Sequence, residues 1–247
     1  MNKLDLNLCI FTSTAGHFGN FDVYKTTIDH FEKSLGGNLD VFNYKIAHIK
    51  VRPREEERNR LPEMLDYFKS KNINTLITES EWGRGMSHQN EYLKDINKLF
   101  SLDNVQNNKY TLWLEDDSPI NCLESNILDY FTKAIGKLNS DKEVLTVRFA
   151  REGIKSDNKQ DLFLKTNTFD FQPNICRSRD LLIANRVILV NWAQFSQMQC
   201  EMVYKFALEW INDYENKFLI FNPNKTYSYH IGTEDYQKYK EIFANNK

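Results

Sequence analysis

The chain has 247 residues, a formal net charge of -2, and is 41% hydrophobic and 27% charged. That apolar share excludes a disordered chain, and nine Gly with five Pro exclude collagen-like and low-complexity classes. The near-neutral balance lacks the clustered basic charge that non-specific nucleic-acid binding needs, so no nucleic-acid partner is expected.

Cys9, Cys122, Cys176 and Cys200 are far apart and form no CxxC pair. Free thiols are expected, not a zinc ribbon or a disulfide framework. The first residues are broken by charge and lack an apolar signal-peptide core. The most apolar stretch, Leu181 to Phe195, contains Asn185, Arg186 and Asn191, too polar for a spanning helix. A cytoplasmic location without a transmembrane segment is the expectation.

In chain order, Leu6 to Thr12 reads as a short strand ending in a Ser/Thr/Gly-rich loop. Tyr24, Ile28, Phe31 and Leu35 share one face of a helix that Gly36-Gly37 stops. Leu39 to Val51 is strand-like, with Phe42, Tyr44, Ile46 and His48 on one side. The mixed-charge segment Arg52 to Arg60, read as a solvated face, leads into a helix with Leu61, Met64, Leu65 and Phe68 on one face and Pro62 in its first turn. Thr75 to Thr78 reads as a buried-type strand, and Ser87 to Phe100 as a helix with Leu93, Ile96, Leu99 and Phe100 inward. Tyr110 to Leu114 is an apolar strand that runs straight into Glu115, Asp116 and Asp117.

Ser125 is placed to cap a further helix bearing Leu128, Phe131, Ile135 and Leu138, followed by a strand over Val144 to Phe149. Glu152 to Lys165 reads as a polar loop. Phe169 to Ile183 and Arg186 to Val190 read as irregular strands and turns. A long helix is expected over Gln197 to Tyr214, then short strands at Phe218 to Phe221 and Thr226 to His230. The β-α-β-α-β-α-β order of the first half predicts an α/β fold with a parallel-rich sheet covered by helices on both faces.

Ligands of open α/β sheets bind beyond the carboxyl ends of strands. Three acids there are costly unless something positive balances them, and a hard divalent cation carrying a phosphate is one answer. A solvated acidic turn is the other reading.

The first half resembles the GT-A fold glycosyltransferases, which are nucleotide-sugar-dependent enzymes. The resemblance rests on Phe11-Thr12-Ser13-Thr14 at the end of the first strand and on Arg84-Gly85-Met86-Ser87-His88-Gln89-Asn90 before the acidic motif. It rests also on Trp113-Leu114-Glu115-Asp116-Asp117 at the place of an Asp-X-Asp motif, and on Tyr229-His230-Ile231-Gly232 late in the chain. It implies a single mixed, mostly parallel GT-A-like domain over 1–247. About 1–120 would form the nucleotide-sugar half and about 121–247 the acceptor half.

The same resemblance implies Mn²⁺ or Mg²⁺ held by Asp117 and His230. Donor contacts would come from Thr12, Ser13, Thr14, Arg84, Asn90, Glu115 and Asp116, although Glu115 stands where the family has Asp. Glu201 would be the general base of an inverting reaction, with Met202 where a second acid often follows, and Glu234 and Asp235 are rival carboxylates. Arg148 and Arg151 would face the same catalytic side, and Phe171 to Arg177 would line the sugar or acceptor side. The implied partners are a UDP- or GDP-sugar donor and a glycan or glycoconjugate acceptor.

Two rivals remain. One is a different metal enzyme using the same acidic cluster, a nucleotidyltransferase or a phosphoesterase; a nucleotidyltransferase would carry a Gly-rich loop with Lys or Arg after the first strand. Thr12 to Asn20 has Gly16 and Gly19 but neither cation. A non-catalytic nucleotide-sugar-binding protein is the other.

Overall fold

In the computed structural model, the described residues are 3–16, 21–80, 86–120, 127–149, 162–166, 173–191, 200–209 and 217–221. Leu6 to Thr12 are all buried and form the centre of β1 (Leu4–Ser13), as expected of a strand covered on both faces. Leu6, Leu8 and Ile10 point to one face, and Cys9 and Phe11 to the other. The same alternation runs through β2 (Phe42–Val51) and β4 (Tyr110–Glu115), so the sheet separates two apolar cores.

The first core is closed by α1 (Val23–Ser34), α3 (Leu61–Ser70) and α6 (Ile127–Ser140). The second is closed by α4 (Met86–Phe100), α5 (Asp103–Gln106), α7 (Ser178–Val190) and α8 (Cys200–Glu209). A one-turn helix, α2 (Glu55–Arg58), lies within the charged segment. The C-terminus of α1 is a Schellman motif: Gly37 N–H donates to Glu32 O and Gly36 N–H to Lys33 O. Both glycines have positive φ, 71° and 80°.

With β3 (Asn74–Glu79), β5 (Val144–Phe149), β6 (Phe163–Thr166), β7 (Asn174–Arg177) and β8 (Lys217–Phe221), the sheet has the order β3-β2-β1-β4-β7-β5-β8-β6. The pairs among β3, β2, β1 and β4, and the pair β5/β8, are parallel; β7 and β6 are antiparallel to their neighbours. The result is the expected mixed, mostly parallel α/β sheet. Crossovers through α1 and α3 build outward to β2 and β3, whereas α4 crosses the opposite face to deliver β4 on the other side of β1. The order therefore reverses between β1 and β4, and the ends of those strands flank the crevice where such sheets take ligands.

Three expectations change. The strand at Thr75 to Thr78 is an edge strand, and Ile77 is 43% exposed, because β2 is its only partner among the described residues. Phe163–Thr166 is a strand, not loop, because it pairs with β8. Ser178–Val190 is one helix, not turns and strands. Its run of Leu, Ile and Val suggests β structure, but Leu181, Ala184, Asn185 and Ile188 are buried at helical spacing and pack on the second core. The loop over 17–20, Ser125, 152–161 and the strand at 226–230 lie outside the described residues. So do both ends of the 197–214 helix, of which 200–209 is described.

Candidate active site at the β1/β4 switch point

The carboxyl ends of β1, β2 and β4 surround a cavity of about 100 Å³. Phe11, Thr12 and Ser13 come from β1, His48 and Lys50 from β2, with Arg52 just beyond it, and Glu115 and Asp116 from β4 and its turn. Tyr92 and Asp95 of α4 form the opposite wall. Below lies an aromatic layer in which Phe11 and Trp113 ring centroids are 5.0 Å apart and Phe100 and Trp113 are 5.2 Å apart.

The acidic turn is tightly tied down. Asp116 N–H donates to Phe11 O at 3.0 Å, continuing the β1/β4 ladder past the strand. The Thr12 hydroxyl donates to Asp116 Oδ2 at 2.6 Å, and the Thr27 hydroxyl of α1 donates to the Asp116 carbonyl. Ser118 donates to Asp117 Oδ1 at 3.0 Å, and both Asp116 and Asp117 are buried.

Glu115 points the other way, into the second face. Its Oε1 accepts from the Tyr92 hydroxyl and, at 2.9 Å, from Trp113 Nε1. Desolvation, with repulsion from Asp117, pushes its carboxyl well above the usual carboxylate range; the two donors act the other way. Glu115 thus differs physically from its two neighbours: it is held as part of the α4 wall.

Thr12, Ser13, Glu115 and Asp116 are brought together around the cavity, and Asp117 follows immediately. Thr14 is elsewhere engaged: its buried hydroxyl accepts from Arg52 N–H at 2.9 Å and its own N–H donates to Lys50 O, stapling the β1 and β2 ends together. Arg84, His230, Arg151, Glu234 and Asp235 lie outside the described residues. The side chains of Asn90 in α4 and Glu201 in α8 do as well.

Arg148, next to last in β5, is in register with Asn174, which pairs in turn with Trp113, so it lies toward the same sheet edge as the acidic turn. Arg177 lies at the opposite edge, because β7 is antiparallel and pairs it with Tyr110. There it donates to the carbonyls of Val144 and Asp141 and pairs with Asp180. Its expected place on the sugar or acceptor side does not survive.

Sequence reasoning missed His48, Lys50, Arg52, Tyr92 and Asp95. The available signal was polar alternation, His48 and Lys50, among the apolar Ile46, Ala47, Ile49 and Val51 at the end of β2.

Among the described residues no three or more His, Cys, Asp or Glu side chains form a metal-sized group. Asp116 and Asp117 nevertheless offer hard oxygen donors. Mg²⁺ sites commonly use only one or two carboxylates and take the remaining positions from phosphate and water. The donor set fits such an ion. Among the described residues no helix is long and apolar enough to cross a membrane.

No protein-family model matches the chain, and no curated protein matches it. Solved structures do. One is described as a glucose-1-phosphate thymidylyltransferase from Bacillus anthracis in complex with sucrose. It matches at 8% identity over 98% of this chain and 96% of that one, with a TM-score of 0.53. Another is a mannosyltransferase from Pyrobaculum calidifontis in complex with GDP-mannose and Mn²⁺. It matches at 9% identity over 96% of this chain and 60% of that one, with a TM-score of 0.51. What the chain shares with both is the fold, a GT-A-like α/β sheet that serves nucleotidyltransferases and glycosyltransferases alike.

Proposed function

We propose that the chain is a metal-dependent glycosyltransferase that moves a sugar from a UDP- or GDP-sugar to a hydroxyl of a glycan or glycoconjugate. The observation that carries this reading is Asp116, hydrogen-bonded to Thr12 at the β1/β4 switch point and lining the cavity, with Asp117 next in the same turn. Thr12 and Ser13 would contact the nucleoside, and Asp116 and Asp117 would hold Mn²⁺ or Mg²⁺, with His230 as a further ligand from the late part of the chain. The ion, when bound, would offset charge developing on the departing diphosphate. Arg52, at the cavity beyond β2, would add positive charge on the same side. Glu201, second residue of α8, is assigned the base that takes the acceptor hydroxyl proton on its carboxylate.

A second reading, a sugar nucleotidyltransferase, is favoured by that same Arg52. From just beyond β2 it supplies the cation that the loop after β1 lacks. A panel of UDP-, GDP- and CDP-sugars with and without Mn²⁺, read by thermal shift, tests donor binding. Incubation with a nucleoside triphosphate and a sugar 1-phosphate, read by pyrophosphate release, separates the two readings. Pyrophosphate release without sugar transfer would replace the first by the second. Binding with neither reaction would leave a nucleotide-sugar-binding protein.

A further inference from the structure

Among the described side chains, α4 meets the second core through Leu93, Ile96, Leu99 and Phe100, with the Tyr92 ring packed beside them. Its turn nearest the cavity is also held by polar groups. Lys50 Nζ of β2 lies 2.7 Å from Asp95 Oδ2 and 3.4 Å from Glu91 Oε2. The Ser80 hydroxyl, just past β3, donates to Glu91 Oε2 at 2.6 Å. Tyr92 donates to Glu115 of β4. His48 Nε2 lies 2.7 Å from Thr78 Oγ1 and 3.6 Å from Asp95 Oδ2. One helical turn is thus tied to the carboxyl ends of β2, β3 and β4 at once.

Lys50 and Asp95 are almost fully buried, at 6% and 3% exposure. A buried ion pair is seldom worth more than apolar packing of the same volume. What it adds is direction: charge-assisted hydrogen bonds fix a distance and an angle where apolar contacts slide. Both residues also line the cavity.

We propose that Lys50 is a positioning residue. Through Asp95 and Glu91 it sets where the cavity wall formed by α4 stands relative to β1 and β4, and so how well the cavity accepts the nucleotide. The proposal rests on the nucleotide reading of the cavity.

The test combines hydrogen exchange of the α4 amides with calorimetric titration of UDP and GDP in the presence of Mn²⁺. Three variants are compared with the wild-type chain: Lys50→Met, Asp95→Asn and Lys50→Met/Asp95→Asn. Lys50→Met should speed exchange in α4 relative to α6 and weaken binding of whichever nucleotide the wild type takes by about tenfold, a typical coupling within one polar network. If Lys50 acts through Asp95, the double variant should bind no more weakly than Lys50→Met alone, a non-additive pair, and affinity restored to wild type without Lys50 overturns the proposal. Removing one partner of a buried pair is strongly destabilising, so Asp95→Asn guards against a Lys50→Met chain that does not fold. There Lys50 keeps Glu91, the fold is held, and a loss of about threefold is expected. Unchanged affinity in Asp95→Asn and in any folded Lys50→Met chain, with or without faster α4 exchange, overturns the proposal alone. A wild-type chain that binds neither nucleotide overturns the cavity reading and this proposal together.

Discussion

The Thr12 hydroxyl donates to Asp116 Oδ2 across 2.6 Å, joining the end of β1 to the turn after the neighbouring parallel strand β4, at the point where the sheet order reverses. A threonine from the β1 end thereby fixes the rotamer of one acid in the β4 turn, leaving Asp117 as the next carboxylate along.

Thr12→Val keeps the shape and removes that donor. The buried acceptor then loses a hydrogen bond, at a cost of about 1–3 kcal/mol. Denaturant unfolding should show the loss, and metal-dependent nucleotide affinity should fall with it. Unaltered unfolding would mean that the bond contributes nothing in solution.

Asp117→Ala removes a carboxylate that lies beyond the strand, outside both apolar cores. Secondary structure and thermal midpoint should be close to wild type, while Mn²⁺-dependent binding of UDP or GDP disappears. Calorimetric titration reads this directly, and retained affinity would take Asp117 out of the site.

His48 gives a pH prediction. Burial pushes its imidazole from the ordinary 6.5 down to about 4, with the Asp95 carboxylate pulling the other way and Lys50 adding to the depression. Below pH 6.5 the unfolded chain takes up a proton that the folded chain refuses, so stability is full above 6.5 and is lost as the pH falls toward about 4. At roughly 1.4 kcal/mol per pH unit, the loss by pH 4 is about 3 kcal/mol. His48→Gln still offers a group to Thr78 and does not titrate, so its stability should be flatter across that window. Parallel curves for the two proteins would show that His48 takes up its proton in the fold as readily as in the unfolded chain.

Gly37→Ala tests the end of α1. Its φ of 80° is left-handed, yet no atom lies within 4 Å of an added Cβ. The cost should therefore be backbone strain alone, about 1–2 kcal/mol, without disturbance of the core. A larger loss would imply a rearranged turn.

The first half of the fold could be read from the chain because each of its elements carries its own period. Tyr24, Ile28 and Phe31 repeat like a helix, and the Tyr110 to Leu114 run stops at three acids. The second half resisted because its local signals mislead. Ser178–Val190 is rich in Leu, Ile and Val, and only its packing on the second core makes it a helix. The acidic turn was legible as a short contiguous motif. The Lys50–Asp95 pair was not, since its partners lie 45 positions apart and meet only after β2, β3 and α4 have been placed. Thr14 was read as a ligand contact because a hydroxyl beyond a strand looks available. In the fold that hydroxyl is buried, accepts from Arg52 N–H and is not among the residues around the cavity.

The antiparallel strand β7 has a consequence for how this protein is made. β4 ends at Glu115, but the strand that covers its far side begins only at Asn174. As the chain leaves the ribosome, the acidic turn can form against β1 while the outer rim of β4 still offers open backbone groups to any passing strand. The sheet closes only when β7 arrives and bridges β4 to β5. A gene fragment ending near residue 120 would therefore expose that rim permanently and should precipitate on expression, although it carries the acidic turn and the strands beside it.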